Sequence, residues 1–505
     1  MLKKAKWPAD ARRAAGFDVL ALAAGAGLNL AFAPYGQWWL AVLCLAVLYR
    51  LWGQGSPRRQ ALRGFLFGIG LFTVGVSWIY LTLVRFGGAP PGMALLGTAC
   101  FMVILAAYPA AAGFLFARLR NQDAWDPWLF AALWTAGEWV RGFFLTGFPW
   151  LDLGYSLDRS PLLPWAPVLG VLGLGFVVAA LAALAADVRL RPQPFWLLVL
   201  ILLLATPQVA TLRLVHKAGA PLTVSLVQGD VSPTIKWDAA SETRIIDRYL
   251  DLTRRAFGRL VVWPETSVPG YTHQLRRWFV PRMQQMAVRN HRHFLFGVVE
   301  GNAWGDGPLY NAVMSVGRHD GFYRKQHLVP FGEYLPWPSV FGPLLTVLHI
   351  PMAGFTPWTR PEGALAVDGA RVGLTICYEI AYGALVTEEM PAATVLVNVS
   401  DDSWYGHSNE AAQQLQIARL RAAEAGRDLA VATNDGDTAV IDHKGMVAAR
   451  LPAFRPGVLT AVVQPYRGLT PYDRYGHLPV ILACGLLIAA GIVRRLTVSP
   501  RQGSG

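Results

Sequence analysis

Val372-Gly-Leu-Thr-Ile-Cys377-Tyr-Glu379 is a β-rich apolar run that stops at a cysteine where the chain turns. Seven more short β-branched runs share its character: Leu222 to Val227, Leu260 to Trp263, Phe294 to Val299, Ala312 to Val316, Thr394 to Val399, Leu429 to Thr433 and Thr438 to Ile441. Helical patterns at about 240–257, 274–290 and 410–426 separate several of them. Apolar strands alternating with helices predict a layered α/β unit over residues 213–475. Such folds gather their polar residues where strands stop. Three strand ends are informative here.

At the first, Cys377 is the only one of four cysteines outside the long apolar runs; Cys44, Cys100 and Cys484 read as small hydrophobes. An inert buried thiol is the alternative reading of Cys377 taken alone. At the second, Val261-Val-Trp-Pro-Glu265-Thr sets a carboxylate directly after a strand and a proline. At the third, Tyr323-Arg-Lys325-Gln-His-Leu-Val-Pro-Phe-Gly-Glu333-Tyr sets a lysine and a glutamate eight apart. A base, a cation and a thiol make a nucleophilic site. An ordinary thiol is mostly protonated at neutral pH, so a carboxylate can take its proton as attack proceeds. A lysine ammonium and the backbone N–H after the cysteine can stabilise the resulting oxyanion.

The rest of the chain is a different material. Of 505 residues, 54% are hydrophobic and 15% charged, against about 25% charged in soluble domains. Seven apolar runs precede residue 215, at roughly 17–34, 36–49, 64–84, 92–117, 127–146, 164–186 and 194–212, and an eighth covers 476–493. Most approach the ~20 residues that cross a bilayer. They predict an α-helical bundle of eight transmembrane helices, seven in residues 1–212 and the eighth, with a tail, in 476–505. The first run resembles a secretory signal ending at Ala31-Phe32-Ala33, but Pro34 disfavours cleavage.

Basic residues occupy every second connection: Lys3, Lys4, Lys6, Arg12 and Arg13; Arg50, Arg58, Arg59 and Arg63; Arg118 and Arg120; Arg189 and Arg191; Arg494, Arg495 and Arg501. By the positive-inside rule these face the cytoplasm. Both termini are then cytoplasmic and the α/β domain lies outside. These sixteen cations, set against Asp10, Asp123, Asp126 and Asp187, carry almost all of the net charge of +13. The basic balance therefore reports topology and anionic lipid, and excludes a nucleic-acid partner.

The segments WPET, YRKQHLVPFGEYLP and ICYE resemble the Glu-Lys-Cys signature of the nitrilase superfamily. With the apolar runs around them, the chain resembles its membrane-bound branch, the apolipoprotein N-acyltransferases. The likeness extends to Thr146-Gly-Phe-Pro-Trp-Leu-Asp-Leu-Gly-Tyr155 and Gln228-Gly-Asp-Val-Ser-Pro-Thr-Ile-Lys-Trp237. The resemblance implies an αββα sandwich on an eight-helix bundle. It also implies acyl transfer from a phospholipid, through a cysteine thioester, to the α-amine of a diacylglyceryl-modified apolipoprotein, with no cofactor. Residue by residue, it assigns Glu265 as general base, Lys325 as oxyanion stabiliser and Cys377 as acylated nucleophile. Trp237, Glu333, Tyr378 and Glu379 match supporting or substrate-binding positions. For Glu333 and Glu379 a surface salt bridge is the alternative, and for Trp237 a packing role. Asp401 stands where the pattern implies asparagine, and Glu410-Ala-Ala-Gln-Gln414 lacks an implied histidine.

Other chemistries find little support. His291 and His293 are two apart, no HExxH or CxxC occurs, and no metal is expected. Glu138 and Arg141 are either a functional intramembrane pair or an interfacial ion pair. Residues 335–360, with Leu335, Trp337, Phe341, Leu344, Leu345, Leu348, Ile350, Met352, Phe355 and Trp358, read as a lipid-facing arm or as a core-packing insertion. Two rival functions remain: a membrane-tethered nitrilase or amidase of a small soluble substrate, and a transporter or scaffold with an external domain. Nearly charge-free spans argue against the transporter.

Overall fold

A computed structural model describes residues 9–85, 87–187, 193–236, 238, 240–301, 307–339, 342, 354–360, 362–389 and 391–498. Trp237, most of the 340–353 stretch, Arg189, Arg191, Lys3, Lys4, Lys6 and Arg501 lie outside the described residues.

Eight α-helices among the described residues precede the α/β region: α1 Ala9–Leu28, α2 Trp39–Trp52, α3 Pro57–Gly75, α4 Trp78–Arg85, α5 Pro91–Leu119, α6 Asp126–Arg141, α7 Ala166–Ala186 and α8 Gln193–Ala210; another, Leu478–Val498, follows it. Among the described residues, five helices are long and apolar enough to cross a membrane, and a sixth crossing results if the pair α3 and α4, bent by 53°, is one span. The eight-span expectation thus meets two shorter helices, α2 with 14 residues and α6 with 16. The third apolar run is continuous in hydropathy but broken in backbone. Glycines draw the bundle together: a Cβ at Gly64 would lie 2.2 Å from the Pro109 carbonyl oxygen, so α3 packs on α5 backbone to backbone.

The α/β region holds two six-stranded sheets and a short ribbon, β1 His216–Lys217 with β14 Tyr466–Arg467. The first sheet contains β2 Leu222–Gln228, β3 Leu260–Val262, β4 His293–Glu300, β5 Tyr310–Val316, β6 Gly321–Arg324 and β13 Gly457–Val463, in the order β13-β2-β3-β4-β5-β6. The second contains β7 Leu365–Val367, β8 Ala370–Ile376, β9 Val395–Ser400, β10 Leu429–Thr433, β11 Ala439–Ile441 and β12 Val447–Arg450, in the order β12-β11-β10-β9-β8-β7. Central pairs are parallel in both, β2 with β3 and β3 with β4, and β8 with β9 and β9 with β10.

Period-two alternation decides the layering. Val224, Leu226, Leu260, Val262 and Leu295 join Val372, Leu374, Val395 and Val397 in one core between the sheets. Their neighbours Val227, Val261, Phe294, Phe296 and Val298 face the other way, onto the helices Glu242–Thr253 and Thr272–Asn290. Leu415, Ile417, Ala418 and Leu420, from the helix Glu410–Ala425, pack with the second sheet. Sheets buried on both faces explain why these strands read as unbroken apolar runs.

The same helix ties the α/β region to the bundle. Gln413 accepts from the indoles of Trp78 (3.2 Å) and Trp150 (2.7 Å) and donates to the Gly75 carbonyl (2.9 Å). Glu424 accepts the Val171 N–H at 2.7 Å, where α7 resumes after Gly170 leaves helical geometry with φ +61°. Arg419 pairs with Asp158, and Arg421 donates to the Tyr155 hydroxyl at 2.6 Å. Polar side chains thus satisfy backbone groups freed where two bundle helices break.

Candidate active site

Each expected catalytic residue is carried by a strand end. Glu265 follows β3, in a turn where Thr266 has φ +43°. That turn crosses β4 so closely that a Cβ at Gly297 would lie 2.2 Å from the Thr266 nitrogen; only glycine lets the base approach. Lys325 follows β6 directly. Cys377 follows β8 with φ +53°, a left-handed conformation that turns the chain sharply at the thiol. A residue without glycine's freedom held this way implies surroundings that over-determine it.

Glu379 supplies them. One of its oxygens accepts from the Ile376 N–H (2.8 Å) and the Tyr323 hydroxyl (3.0 Å), and the other from the N–H groups of Gln326 (2.6 Å) and His327 (3.0 Å). The side chain is wholly buried, so the surface salt-bridge alternative does not hold. It locks the cysteine turn to the loop after Lys325. Burial raises its pKa to about 7, opposed by these backbone donors and by Lys325.

The carboxylates and the lysine are brought together. Lys325, 1% exposed, donates to Glu265 at 3.2 Å and to Glu333 at 3.0 Å. Burial works against its charge, yet the Glu265 and Glu333 carboxylates outweigh it and hold the ammonium well above its ordinary value. Glu333 is half-buried and accepts the Val329 N–H at 2.8 Å, so it too belongs to the site and not to a surface pair. Burial, then the Glu265 charge, push the Cys377 thiol well above its usual range, while Lys325 and the Ser400 hydroxyl pull it down. The resting cysteine is therefore a thiol that needs a base.

Tyr378 points toward the bundle: its hydroxyl donates to the Gly147 carbonyl at 3.3 Å and its ring stacks on Trp150 at 6.1 Å. Tyr382 shares that carbonyl at 3.0 Å. Glu138 and Arg141 do not pair. Arg141 bonds Asp152 at 2.6 Å, and Glu138 accepts from the Trp134 indole (2.9 Å) and the Leu153 N–H (2.8 Å).

Sequence reasoning missed several partners. Asn311 donates to both Glu265 (2.6 Å) and Glu333 (2.7 Å). Asn398 reaches the Cys377 carbonyl at 3.3 Å, and Ser400 contacts the thiol and donates to Asp402 at 2.5 Å. Lys236 pairs with Asp401 beneath Glu265. Polar residues inside apolar strands were the available signal. Among the described residues no His, Cys, Asp and Glu group is arranged to hold a metal.

A carbon-nitrogen hydrolase sequence profile matches residues 223–472, the two sheets and their helices, and this defines a nitrilase-superfamily enzyme. The profile of the apolipoprotein N-acyltransferase N-terminal domain matches residues 24–184. The apolipoprotein N-acyltransferase of Methylococcus capsulatus is 38% identical over 96% of this chain and 98% of its own length. That of Azotobacter vinelandii is 40% identical, covering 95% of each. Among solved structures, an amidase of the nitrilase superfamily from Nesterenkonia aligns at TM-score 0.37 and 19% identity, covering 52% of this chain and 97% of that one. The chain belongs to the apolipoprotein N-acyltransferase family, an acyltransferase family with membrane helices.

Proposed function

We propose that Cys377, Glu265 and Lys325 are the catalytic residues of a two-step N-acyl transfer. Glu265 takes the thiol proton as Cys377 attacks the ester carbonyl of a phospholipid. Lys325 and the backbone N–H of Tyr378 stabilise the oxyanion, and the alcohol leaves with the proton from Glu265. The acyl group is then a thioester on Cys377. In the second step the α-amine of a diacylglyceryl-modified apolipoprotein attacks that thioester, Glu265 accepts the amine proton and passes it to the departing Cys377 sulfur, and the resting thiol and carboxylate are restored. Glu333 and Glu379 support the site by fixing Lys325 and the cysteine turn, and Tyr378 links it to the bundle.

The observation that carries this reading is that Lys325 contacts both carboxylates, Glu265 and Glu333, beside a buried thiol held in left-handed geometry. Family membership favours acyl transfer over hydrolysis of a small soluble amide. Intact-mass measurement after incubation with phospholipid in detergent tests it: one acyl mass added to the wild type, discharged by a diacylglyceryl-cysteine peptide, is the expected result.

The arrangement in the membrane belongs to the same proposal. Residues 1–212 and 476–505 form eight spans, with α2, α6 and the bent pair α3 and α4 each counted as one. The catalytic unit, 213–475, lies in the periplasm of the inner membrane, and both termini are cytoplasmic. Basic residues in alternate connections support this reading.

A further inference from the structure

We infer that Lys236 and Asp401 form a positioning pair that aims Glu265 and balances the charge behind it. The inference rests on reading Glu265 as the base.

Lys236 ends the short helix Pro233–Lys236 after β2, and Asp401 follows β9. Each is 1% exposed, and their side chains form a buried ion pair. Lys236 also donates to the main-chain carbonyl of Glu265 at 3.2 Å. The main-chain N–H of Asp401 donates to Glu265 Oε2 at 3.1 Å. The pair thus grips the base twice, by its backbone and by one carboxylate oxygen. Lys325 and Asn311 bind the other oxygen, so neither is left to rotate.

Asp401 is itself anchored. Its second oxygen accepts from the Ser403 hydroxyl and from Asn434 at 2.9 Å. Asn434 is fixed in turn by Val231, whose carbonyl accepts at 2.7 Å and whose N–H donates at 3.0 Å, and by Tyr249 at 3.1 Å. Three segments, after β2, β9 and β10, therefore converge from both sheets on the Asp401 carboxylate.

Charge explains why a lysine is there. The charged and titratable groups facing Glu265 are Lys325, Glu333, Cys377, Asp401, Asp402, Tyr405, Glu410 and Lys236. Without Lys236 an uncompensated carboxylate at Asp401 would stand directly behind the base. Buried ion pairs add little net stability, since desolvation offsets attraction, so registry is the better account of this one. It also accounts for an acid at 401 where the family resemblance implies asparagine: the acid is matched by its lysine.

The test is the pH dependence of single-turnover acyl-enzyme formation, followed by intact mass with phosphatidylethanolamine in detergent micelles. Lys236→Met leaves a bare carboxylate and should slow the step about ten-fold at pH 7, with the acid limb moved to higher pH. Asp401→Asn leaves a bare ammonium while keeping the N–H to Glu265, and should move the limb to lower pH. The double variant removes both charges and should return the limb to its wild-type place. Opposite shifts cancelling in the double variant would not arise from a merely structural role. If Lys236→Met does not fold, the Asp401→Asn shift and its cancellation in the double variant decide the matter. Superimposable profiles, or single-variant shifts of the same sign, overturn the inference. Glu265→Gln separates the two levels: full acylation by that variant refutes the base itself, whereas its inactivity beside unshifted profiles refutes only the pair.

Discussion

A thiol pushed above its ordinary range beside a carboxylate and an ammonium cannot attack until the proton moves, so the three residues act as one unit. Cys377→Ala should abolish the acyl-enzyme while leaving expression and membrane insertion intact. Glu265→Gln and Lys325→Ala should each reduce single-turnover acylation by at least about 10³-fold, and the combined variant should lose no more than the worse single. Multiplying losses would show independent roles. Glu379 gives a different signature, because it caps donors and touches no substrate. Glu379→Ala orphans three backbone N–H groups and one hydroxyl and should cost about 3–5 kcal/mol. Thermal unfolding in detergent measures this, and Glu379→Gln should recover part of the loss. Cys377 and Glu265 were legible because each follows an apolar run, and Lys325, Glu333 and Glu379 because their segments resemble the family's motifs. Asn311 and Ser400 were not, since one polar residue within a strand says nothing of what lies across the sheet.

At the scale of elements, the helix Glu410–Ala425, the loop before it and the turn after β10 concentrate buried acids. Burial raises Asp402 to about 7 and Asp435 to about 8, and holds Glu410 well above the carboxylate range. The unfolded chain releases these protons near pH 4, whereas the folded chain keeps those of Asp402 and Asp435 until about 7 and 8. The folded state then binds more protons across that window, so these groups' stability contribution is fully present below pH 4 and lost as pH rises to about 8. One such group sets a slope of at most about 1.4 kcal/mol per pH unit. Asp402→Asn should flatten the fall of the thermal midpoint between pH 5 and 8; an unchanged slope would deny Asp402 its part. Gln413 tests the join to the bundle. Its replacement by alanine strands two indole N–H groups and the Gly75 carbonyl, and should cost about 2–4 kcal/mol of stability in detergent. The strands were readable because both faces are buried. The break between α3 and α4 was not, because hydropathy is continuous across Val76 and Ser77 and the group that caps the break lies more than 300 residues away in sequence.

The whole molecule sets a soluble-type fold against a bilayer. Its polar side chains reach into the bundle where backbone groups are freed, so the catalytic unit is docked on the membrane region as well as tethered by Gln193–Ala210 and Leu478–Val498. Under the proposed topology, docking of this kind sets which membrane face the thiol meets, and the charge of the connections argues which compartment that face adjoins. Arg50 in the last turn of α2, Arg58 and Arg59 in the first turn of α3, Arg118 and Arg120 at the end of α5, and Arg494 and Arg495 near the end of the last helix lie on one side under the eight-span arrangement. The proposed topology therefore stands or falls on both sets of connections together. With the four native cysteines replaced by serine or alanine, a cysteine at Phe257, 75% exposed in the α/β region, should react with a membrane-impermeant maleimide on intact spheroplasts. A cysteine replacing Ser56 should react only after permeabilisation. The opposite pattern would place the thiol on the cytoplasmic face and overturn the compartment assignment. Labelling of both positions from outside would overturn the span count between them, since α3 with α4, α5, α6 and α7 must together carry the chain across an even number of times before α8 brings it to the catalytic unit.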